Sequence, residues 1–199
     1  MSEIKIVDQY IHPKEHEELQ NIMRKKEFPW TLAPKTGEMD NDGHAIRGQS
    51  ENDVANPLNT QLNHWFADYR FAHYSPFFKY VLPIVNQQRI VAISRIKANL
   101  QLPCENPVKS NFHVDLSLRY GIEEIPEPHL TTIIYYVNTN NGYTEFETGE
   151  IVESVANRAV IFPNSCRHRG VSQTDTHYRT VINLNVCLSA ATPPEFPRG

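Results

Sequence analysis

From Ile90 almost to its end, the chain alternates apolar and polar residues with a period of two and is rich in β-branched residues. Such alternation is typical of half-buried β-strands, whose successive side chains point to opposite faces. Turn-forming residues separate the strand candidates, which predicts a sandwich or a barrel. The predicted strands span residues 90–100, 108–116, 129–137, 143–146, 151–154, 159–162, 168–171 and 178–186. Residues 140–142 (Asn-Asn-Gly) and 157–158 (Asn-Arg) are predicted hairpin turns.

The segment before Ile90 is predicted to be mostly helical. A short strand is expected over residues 4–11 and the start of another over residues 28–32. A helix is expected from Pro13 to about Lys26, because proline suits the first helical position, with an apolar stripe made by Leu19, Ile22 and Met23. Two more helices are predicted over residues 59–71 and 75–88, the second kinked at Pro83. We expect these helices to cover one face of the sheet.

The composition is that of one soluble domain of 199 residues with a net charge of −4. No basic run is present, so the charge gives no support to a nucleic-acid partner. The N-terminus lacks an apolar signal core, and no apolar run approaches the ~20 residues of a membrane span. Three cysteines without C-x-x-C spacing suggest neither a disulfide framework nor a cysteine zinc site. We therefore expect a cytosolic protein with reduced thiols; its oligomeric state is not predicted.

His113 and Asp115 are the first candidates for a functional site. In the predicted strand 108–116, residues i and i+2 share a face, so the imidazole and the carboxylate project side by side. A second imidazole from His168 would complete two histidines and one carboxylate, the set that holds Fe(II) and leaves coordination positions open. The alternative is a surface histidine beside an aspartate on an edge strand. The similar pair His16 and Glu18 lies on a predicted helix, where i and i+2 point apart.

The last predicted strand, residues 178–186, carries an unusual polar face. Arg179, Val181, Asn183 and Asn185 lie on this face, whereas the opposite face is apolar. Polar residues in so apolar a context indicate the lining of a polar pocket. Arg179 can bind a carboxylate there through two parallel hydrogen bonds. The alternative is a surface arginine on an edge strand.

Together these motifs resemble the Fe(II)- and 2-oxoglutarate-dependent dioxygenases, in their prolyl-4-hydroxylase-like branch. The resemblance covers residues 90–188. It rests on six segments in the family's order, which are His113-Val114-Asp115, Ile134-Tyr135-Tyr136-Val137-Asn138, Asn141-Gly142-Tyr143-Thr144-Glu145-Phe146, Ala159-Val160-Ile161-Phe162-Pro163, His168 and Arg179. The second glycine that is common before Thr-x-Phe is absent, since Tyr143 follows Gly142.

The resemblance implies an α+β, mainly β fold: a double-stranded β-helix (jelly roll) over about residues 90–188, supported by helices in about residues 1–89, in one domain. It implies Fe(II) bound by His113, Asp115 and His168, with 2-oxoglutarate and O2 taking the open positions and ascorbate as a candidate reductant. Arg179 is expected to bind the distal carboxylate of 2-oxoglutarate. The other expected pocket residues are Tyr136, Thr132 and Asn99 (or Gln101) near the cosubstrate, and Asn183 and Asn185 near iron or substrate.

Three functions are compatible with the resemblance. The first is hydroxylation of a peptidyl residue, with proline as the first choice. The second is hydroxylation of a free amino acid or another small molecule, and the third is a jelly-roll metal-binding protein without turnover. Demethylation of a nucleic acid is a further alternative, although no basic groove is expected that would favour it. Residues 33–57 are expected to form a long loop, in which His44 and Arg47 either contact substrate or belong to an ordinary solvated loop. Residues 119–128 follow the His-x-Asp strand, where related enzymes fold a lid over a peptide.

Overall fold

The computed structural model describes residues 4–33, 61–120, 123–126 and 129–189. Single-turn 3₁₀ helices lie at Tyr69–Phe71 and Phe78–Tyr80. In chain order, the strands and α-helices are β1 (Lys5–Val7), α1 (Pro13–Met23), β2 (Thr31–Ala33), β3 (Gln61–Asp68), β4 (His73–Tyr74), α2 (Leu82–Val85), β5 (Ile90–Gln101), β6 (Ser117–Tyr120), β7 (Glu123–Pro126), β8 (Thr131–Tyr136), β9 (Tyr143–Phe146), β10 (Ile151–Glu153), β11 (Arg158–Pro163), β12 (His168–Val171) and β13 (Arg179–Leu188).

Apart from β6 and β7, which pair with each other, the strands form a large and a small antiparallel sheet. The large sheet has the order β1-β11-β8-β13-β5-β3-β2, with β4 beside β3, and the small sheet has the order β10-β9-β12. From β8 onward the chain passes repeatedly between the two sheets, because β8, β11 and β13 belong to the large one and β9, β10 and β12 to the small one. This alternation is the jelly-roll arrangement, and the predicted fold class is confirmed.

Both predicted hairpin turns are wrong. Residues 140–142 lie in the connection from β8 to β9, and residues 157–158 lie at the end of the connection from β10 to β11. In both connections the chain crosses from one sheet to the other. In the part of the chain between these two turns, a hairpin instead joins β9 to β10. Its turn contains Gly149 at φ 102°, whose amide donates to the carbonyl of Phe146 at 2.9 Å. Turn-forming residues indicate where the chain bends, whereas strand pairing in a jelly roll depends on distant partners.

The predicted helix over residues 59–71 is also wrong, because β3 occupies most of it. β3 pairs with β2 on one side and β5 on the other. Side chains from both of its faces are buried, including Asn63 on one and Phe66 on the other, so the strand lacks the alternation that would reveal it. A bulge between Trp65 and Ala67 further disturbs the period. Pairing with distant strands here overrides the local apolar spacing.

Other boundaries differ in smaller ways. The predicted helix over residues 75–88 is reduced to the 3₁₀ turn Phe78–Tyr80 and to α2, where Pro83 lies in the first turn and causes no kink. Helix α1 ends at Met23, before the predicted Lys26. Residues 119–128 contain most of a two-stranded ribbon made by β6 and β7. Residues 34–60 lie outside the described residues, as do His44 and Arg47. Within the described ranges, no helix combines the length and the apolar character that a membrane span requires.

The core has two parts, one on each face of the large sheet. The outer part packs Leu19 and Met23 of α1 against the sheet, as the apolar stripe predicted. The inner part lies between the two sheets and contains Ile134, Tyr136, Phe146, Val152, Val160, Phe162 and Val181. Successive residues of β8 therefore serve opposite parts of the core, with Tyr135 outside and Tyr136 inside.

Asn157 connects the N-terminal segment to the large sheet, and its removal should be costly. Its Oδ1 accepts from the amide of Ile11 and the hydroxyl of Tyr135, both at 3.0 Å, and its Nδ2 donates to the carbonyl of Ile11 at 2.8 Å. Its φ of 62° lies in the left-handed region, which asparagine tolerates better than alanine. Asn157→Ala is expected to lower the free energy of unfolding by about 2–4 kcal/mol in urea titrations. Exposed Asn21→Ala should change it by less than about 0.5 kcal/mol, and an equally small effect at Asn157 would contradict the assignment.

Candidate metal centre

The segment that carries His113 and Asp115 is not the continuous strand that the sequence predicts. Residues 108–116 make only two isolated bridges to β12, Lys109 with Val171 and His113 with His168. The second bridge is reciprocal, with the His113 amide donating to the His168 carbonyl at 2.9 Å and the reverse bond at 3.0 Å. Asp115 follows in a bend. The two histidines therefore meet by pairing across strands, and their ring centroids are 4.9 Å apart.

The three predicted ligands converge. Nε2 of His113 and Nε2 of His168 each lie 3.9 Å from Oδ1 of Asp115, and one ligand atom from each residue lies within 4.8 Å of the others. Nδ1 of each imidazole faces a backbone carbonyl, that of Asn111 at 2.9 Å and that of Cys166 at 3.1 Å. With the proton on Nδ1, both Nε2 lone pairs point toward the carboxylate. This donor set fits a divalent transition metal.

Asp115 is buried and held by neighbours from two strands of the large sheet. Nη2 of Arg95 lies 3.4 Å from its Oδ1, and Nδ2 of Asn185 donates to its Oδ2 at 3.0 Å. Asn183 Nδ2 lies at 3.5 Å from both carboxylate oxygens. Arg95 was not among the residues predicted from the sequence. The signal available was a charged residue in an apolar strand, on the same face as Asn99 four positions later.

The protonation states suit metal binding. Burial, aided by the neighbouring His113, lowers the pKa of His168 to about 4, so the imidazole is neutral near pH 7. Burial alone would raise the pKa of Asp115, but Arg95 and the two imidazoles more than offset this and hold the pKa well below its usual range. Metal ligands must be deprotonated to bind, and both groups already are.

Arg179 lies at the N-terminal end of β13, on the same face of the sheet as Asn183 and Asn185, and is 4% exposed. Its guanidinium donates to Ser154 Oγ at 3.0 Å, to Gln101 Oε1 at 3.2 Å and to the carbonyl of Tyr143 at 3.4 Å. Burial lowers the pKa of this guanidinium, yet arginine stays charged in proteins. Within the described residues no carboxylate faces it. A buried cation with only neutral partners is costly, and it marks a place for an anion.

The remaining predicted residues lie near one of two ends of the site, the end with Arg179 or the end with the metal ligands. Tyr136 lies beside Arg179, with the guanidinium carbon 5.9 Å from its ring centroid. Its hydroxyl donates to Thr144 Oγ1 at 2.7 Å, and burial raises its pKa to about 12. Thr132 lies at the other end, where its hydroxyl accepts from Asn185 at 3.1 Å. Gln101, the alternative to Asn99, is the residue that contacts Arg179.

Three asparagines on this face have a buried amide oxygen without a hydrogen-bond partner: Asn63, Asn99 and Asn183. Asn63 lies directly opposite Asn99, which lies opposite Val181 of β13. Buried polar atoms in proteins are normally hydrogen-bonded, so the three oxygens are acceptors to which a bound polar molecule could donate. Asn63 was missed because its strand was predicted to be a helix.

No protein-family model matches the sequence, and no curated protein matches it at a significant level. Solved structures do match. The viral collagen prolyl hydroxylase of Paramecium bursaria Chlorella virus 1, in its 2-oxoglutarate complex, has a TM-score of 0.55 and 11% identity. The match covers 94% of this chain and 96% of that chain.

Two other similar structures contain a peptide in one case and hygromycin B in the other. A Trichoplax adhaerens prolyl hydroxylase in complex with a peptide fragment of hypoxia-inducible factor has a TM-score of 0.52 and 11% identity, covering 92% of this chain and 83% of that chain. HygX from Streptomyces hygroscopicus, with nickel, 2-oxoglutarate and hygromycin B bound, has a TM-score of 0.53 and 10% identity, covering 96% of this chain and 85% of that chain. At such identities the likeness establishes the fold alone, and that fold is the predicted double-stranded β-helix.

Proposed function

We propose that this chain is an Fe(II)- and 2-oxoglutarate-dependent dioxygenase that hydroxylates its substrate. The observation that carries the proposal is the joint presence, on one face of the jelly roll, of a three-donor metal set and a buried arginine that no described carboxylate faces. A metal site alone would fit many proteins, and a buried arginine alone would fit any anion. A dianion that chelates a metal at one end and carries a carboxylate at the other satisfies both.

Each residue has a defined part in this proposal. His113, Asp115 and His168 bind Fe(II), and Asn185 holds the second oxygen of Asp115 so that the carboxylate keeps one orientation. Arg179 binds the distal carboxylate of 2-oxoglutarate; its two longest bonds, 3.2 and 3.4 Å, are those most readily exchanged for carboxylate oxygens. When bound, Fe(II) with 2-oxoglutarate and O2 supplies the oxidising power to hydroxylate an unactivated C–H bond, with release of succinate and CO2.

Further residues line the pocket. Tyr136 is proposed to support the distal carboxylate from beside Arg179. Thr132 lies near the metal ligands, where it fixes Asn185. Asn99 lies between the two ends, and Asn183 borders Asp115. Ascorbate remains a candidate reductant on the resemblance alone.

The substrate proposed first is a peptidyl residue, with proline as the first choice. Two of the similar structures are prolyl hydroxylases, one of them with a peptide bound. A free amino acid or another small molecule is the alternative, because HygX holds hygromycin B in the same fold. The unpartnered amide oxygens of Asn63 and Asn99 favour a substrate of either kind that donates N–H or O–H hydrogen bonds. A nucleic-acid substrate has no basic groove in its favour.

A metal-binding jelly roll without turnover is the candidate of another class. Buried Arg179 argues against it, because a protein that only binds metal has no use for a cation without a described carboxylate partner on the same face of the sheet. The three cysteines are free thiols, and this supports a reducing, cytosolic setting.

Succinate release tests the proposed function. The protein is incubated with Fe(II), 2-oxoglutarate and ascorbate, alone and with a panel of proline-containing peptides, free amino acids and small polar metabolites. We expect slow succinate formation without substrate and stimulation by one class, which assigns the substrate. Arg179→Gln is the control and should form little succinate at the same cosubstrate concentration. Absence of both 2-oxoglutarate binding and succinate formation in metal-loaded protein would contradict the proposal.

Gly142→Ala tests whether 2-oxoglutarate binding depends on the position of the Arg179 side chain. A Cβ at Gly142 would lie 2.8 Å from Arg179 Cδ and 2.8 Å from the carbonyl oxygen of Val171. Because the backbone oxygen cannot yield as a flexible side chain does, the backbone at residue 142 must shift, and the Arg179 side chain must move away from the same Cβ. We expect the 2-oxoglutarate concentration for half-maximal succinate formation to rise by about tenfold to a hundredfold. Gly170→Ala is the matched control, since its Cβ would meet nothing closer than Arg179 Nη1 at 3.9 Å; equal effects of the two changes would argue against the mechanism.

A further inference from the structure

We infer that Arg95 makes divalent-metal binding depend on the dianionic cosubstrate, so that the metal binds weakly alone and tightly together with 2-oxoglutarate. This inference rests on the proposed function and assigns a role to a residue outside the donor set. Arg95 is a positioning residue, because it acts through Asp115 and touches neither the substrate nor the reacting atoms.

The position of Arg95 brings its charge close to the metal. Its Nη2 lies 3.4 Å from Asp115 Oδ1, the same oxygen that lies 3.9 Å from Nε2 of His113 and of His168. The guanidinium therefore contacts the same carboxylate oxygen that lies closest to the two imidazoles. Its Nε donates to Asn185 Oδ1 at 2.9 Å, which restrains the side chain. Arg95 is 4% exposed and Asp115 is 6% exposed, so solvent screens the pair little.

The charges explain the coupling. Asp115 is the only anionic member of the donor set, and Arg95 already compensates it. With neutral imidazoles, a divalent metal brings the summed charge of Arg95, Asp115 and the metal to about +2. One negative charge of 2-oxoglutarate would offset part of this excess at the metal, and the other would pair with Arg179 at the other end of the site. Because coupling between two ligands is reciprocal, each then strengthens the binding of the other.

A purely structural role for Arg95 predicts the opposite sign. If Arg95 only held Asp115 in place, its removal would leave the carboxylate misplaced and the metal would bind more weakly. If its charge opposes the metal, its removal strengthens metal binding, because the carboxylate also becomes a better donor when the cation is gone. The sign of the change therefore separates the two roles.

The experiment is a titration of the full chain with Mn(II), without and with saturating 2-oxoglutarate, read as the metal dissociation constant. In the unaltered protein we expect 2-oxoglutarate to tighten Mn(II) binding by about tenfold or more. Arg95→Met should bind Mn(II) alone about tenfold more tightly than the unaltered protein, as loss of one nearby buried charge predicts. In Arg95→Met the tightening by 2-oxoglutarate should fall below about threefold. Arg95→Lys retains the charge and should behave like the unaltered protein.

The controls keep the outcomes distinct. Arg158→Met removes another arginine of the large sheet that pairs with an aspartate, Asp8, and should leave both constants unchanged. If Arg95→Met fails to fold, Arg95→Gln takes its place, because glutamine can still donate to Asn185. Weaker Mn(II) binding in the neutral variant, an unchanged effect of 2-oxoglutarate, or failure of both neutral variants to fold would overturn the role of Arg95. Absence of any 2-oxoglutarate binding to the unaltered, metal-loaded protein would instead overturn the proposed function.

Discussion

His168→Ala and Asp115→Ala are each expected to abolish binding of divalent metal and, with it, succinate formation. Each change removes one of three ligand atoms that lie within 4.8 Å of one another, and two remaining donors cannot hold a labile divalent ion in a defined position. Loss of even a supporting residue costs ~10–100-fold in affinity at metal sites, so loss of a ligand should exceed a hundredfold. Isothermal titration with Mn(II) and a succinate assay measure the two effects.

The two variants should differ in stability. Asp115→Ala leaves the buried guanidinium of Arg95 without its carboxylate, and breaking such a pair costs about 3–5 kcal/mol. His168→Ala removes a neutral imidazole and leaves no buried charge, so it is the cleaner test of metal binding. The exposed His177 lies outside the donor set, and His177→Ala serves as the control with normal metal affinity. Stoichiometric metal binding by folded His168→Ala would refute the assignment of the centre.

Arg179→Gln is expected to raise the 2-oxoglutarate requirement by roughly a hundredfold while metal binding stays intact. Two charge-assisted hydrogen bonds to a carboxylate are lost, each worth about 1.5–3 kcal/mol when the partners are well aligned. Arg179→Lys should be intermediate, since lysine retains the charge but not the forked geometry. The dissociation constant of 2-oxoglutarate for Mn(II)-loaded protein measures the effect directly.

A stability measurement makes the Arg179 test independent of turnover. The ligand-free protein buries this guanidinium among neutral acceptors, so Arg179→Gln should unfold at the same or a higher urea concentration. Added 2-oxoglutarate should then stabilise the unaltered protein more than the variant. Normal cosubstrate affinity in Arg179→Gln would show that the distal carboxylate is bound elsewhere.

The sequence reveals strands best where apolar and polar residues alternate along the chain. The predicted bounds of β9 and β12 agree with the structure, and those of β5 and β13 are within two residues of it. β13 is paired on both sides and buried on both faces, yet its alternating residues reveal it. β3 was missed because its residues do not alternate and a bulge between Trp65 and Ala67 disturbs the period. The hairpin errors have a related cause, since Asn141-Gly142 specifies a bend and the destination of the next strand depends on residues far along the chain.

The residues of the candidate site were likewise predicted only in part from the sequence. His113 and Asp115 were found by their spacing, although the strand assumed for them is reduced to isolated bridges. Arg95 was not found, because its relation to Asp115 exists only after β5 and β13 pair. The expected substrate contacts of His44 and Arg47 stay predictions.

The pairing of residues 108–116 with β12 has a mechanical consequence. Two isolated bridges and the hydrogen bonds between Ser110 and Gly170 connect these stretches, and one of the bridges joins the two residues that supply the imidazoles. A metal ion bound by both imidazoles would cross-link the two segments. Metal binding would then also stabilise their pairing, and the amide hydrogens of residues 108–116 and of β12 would exchange more slowly in the metal-loaded protein.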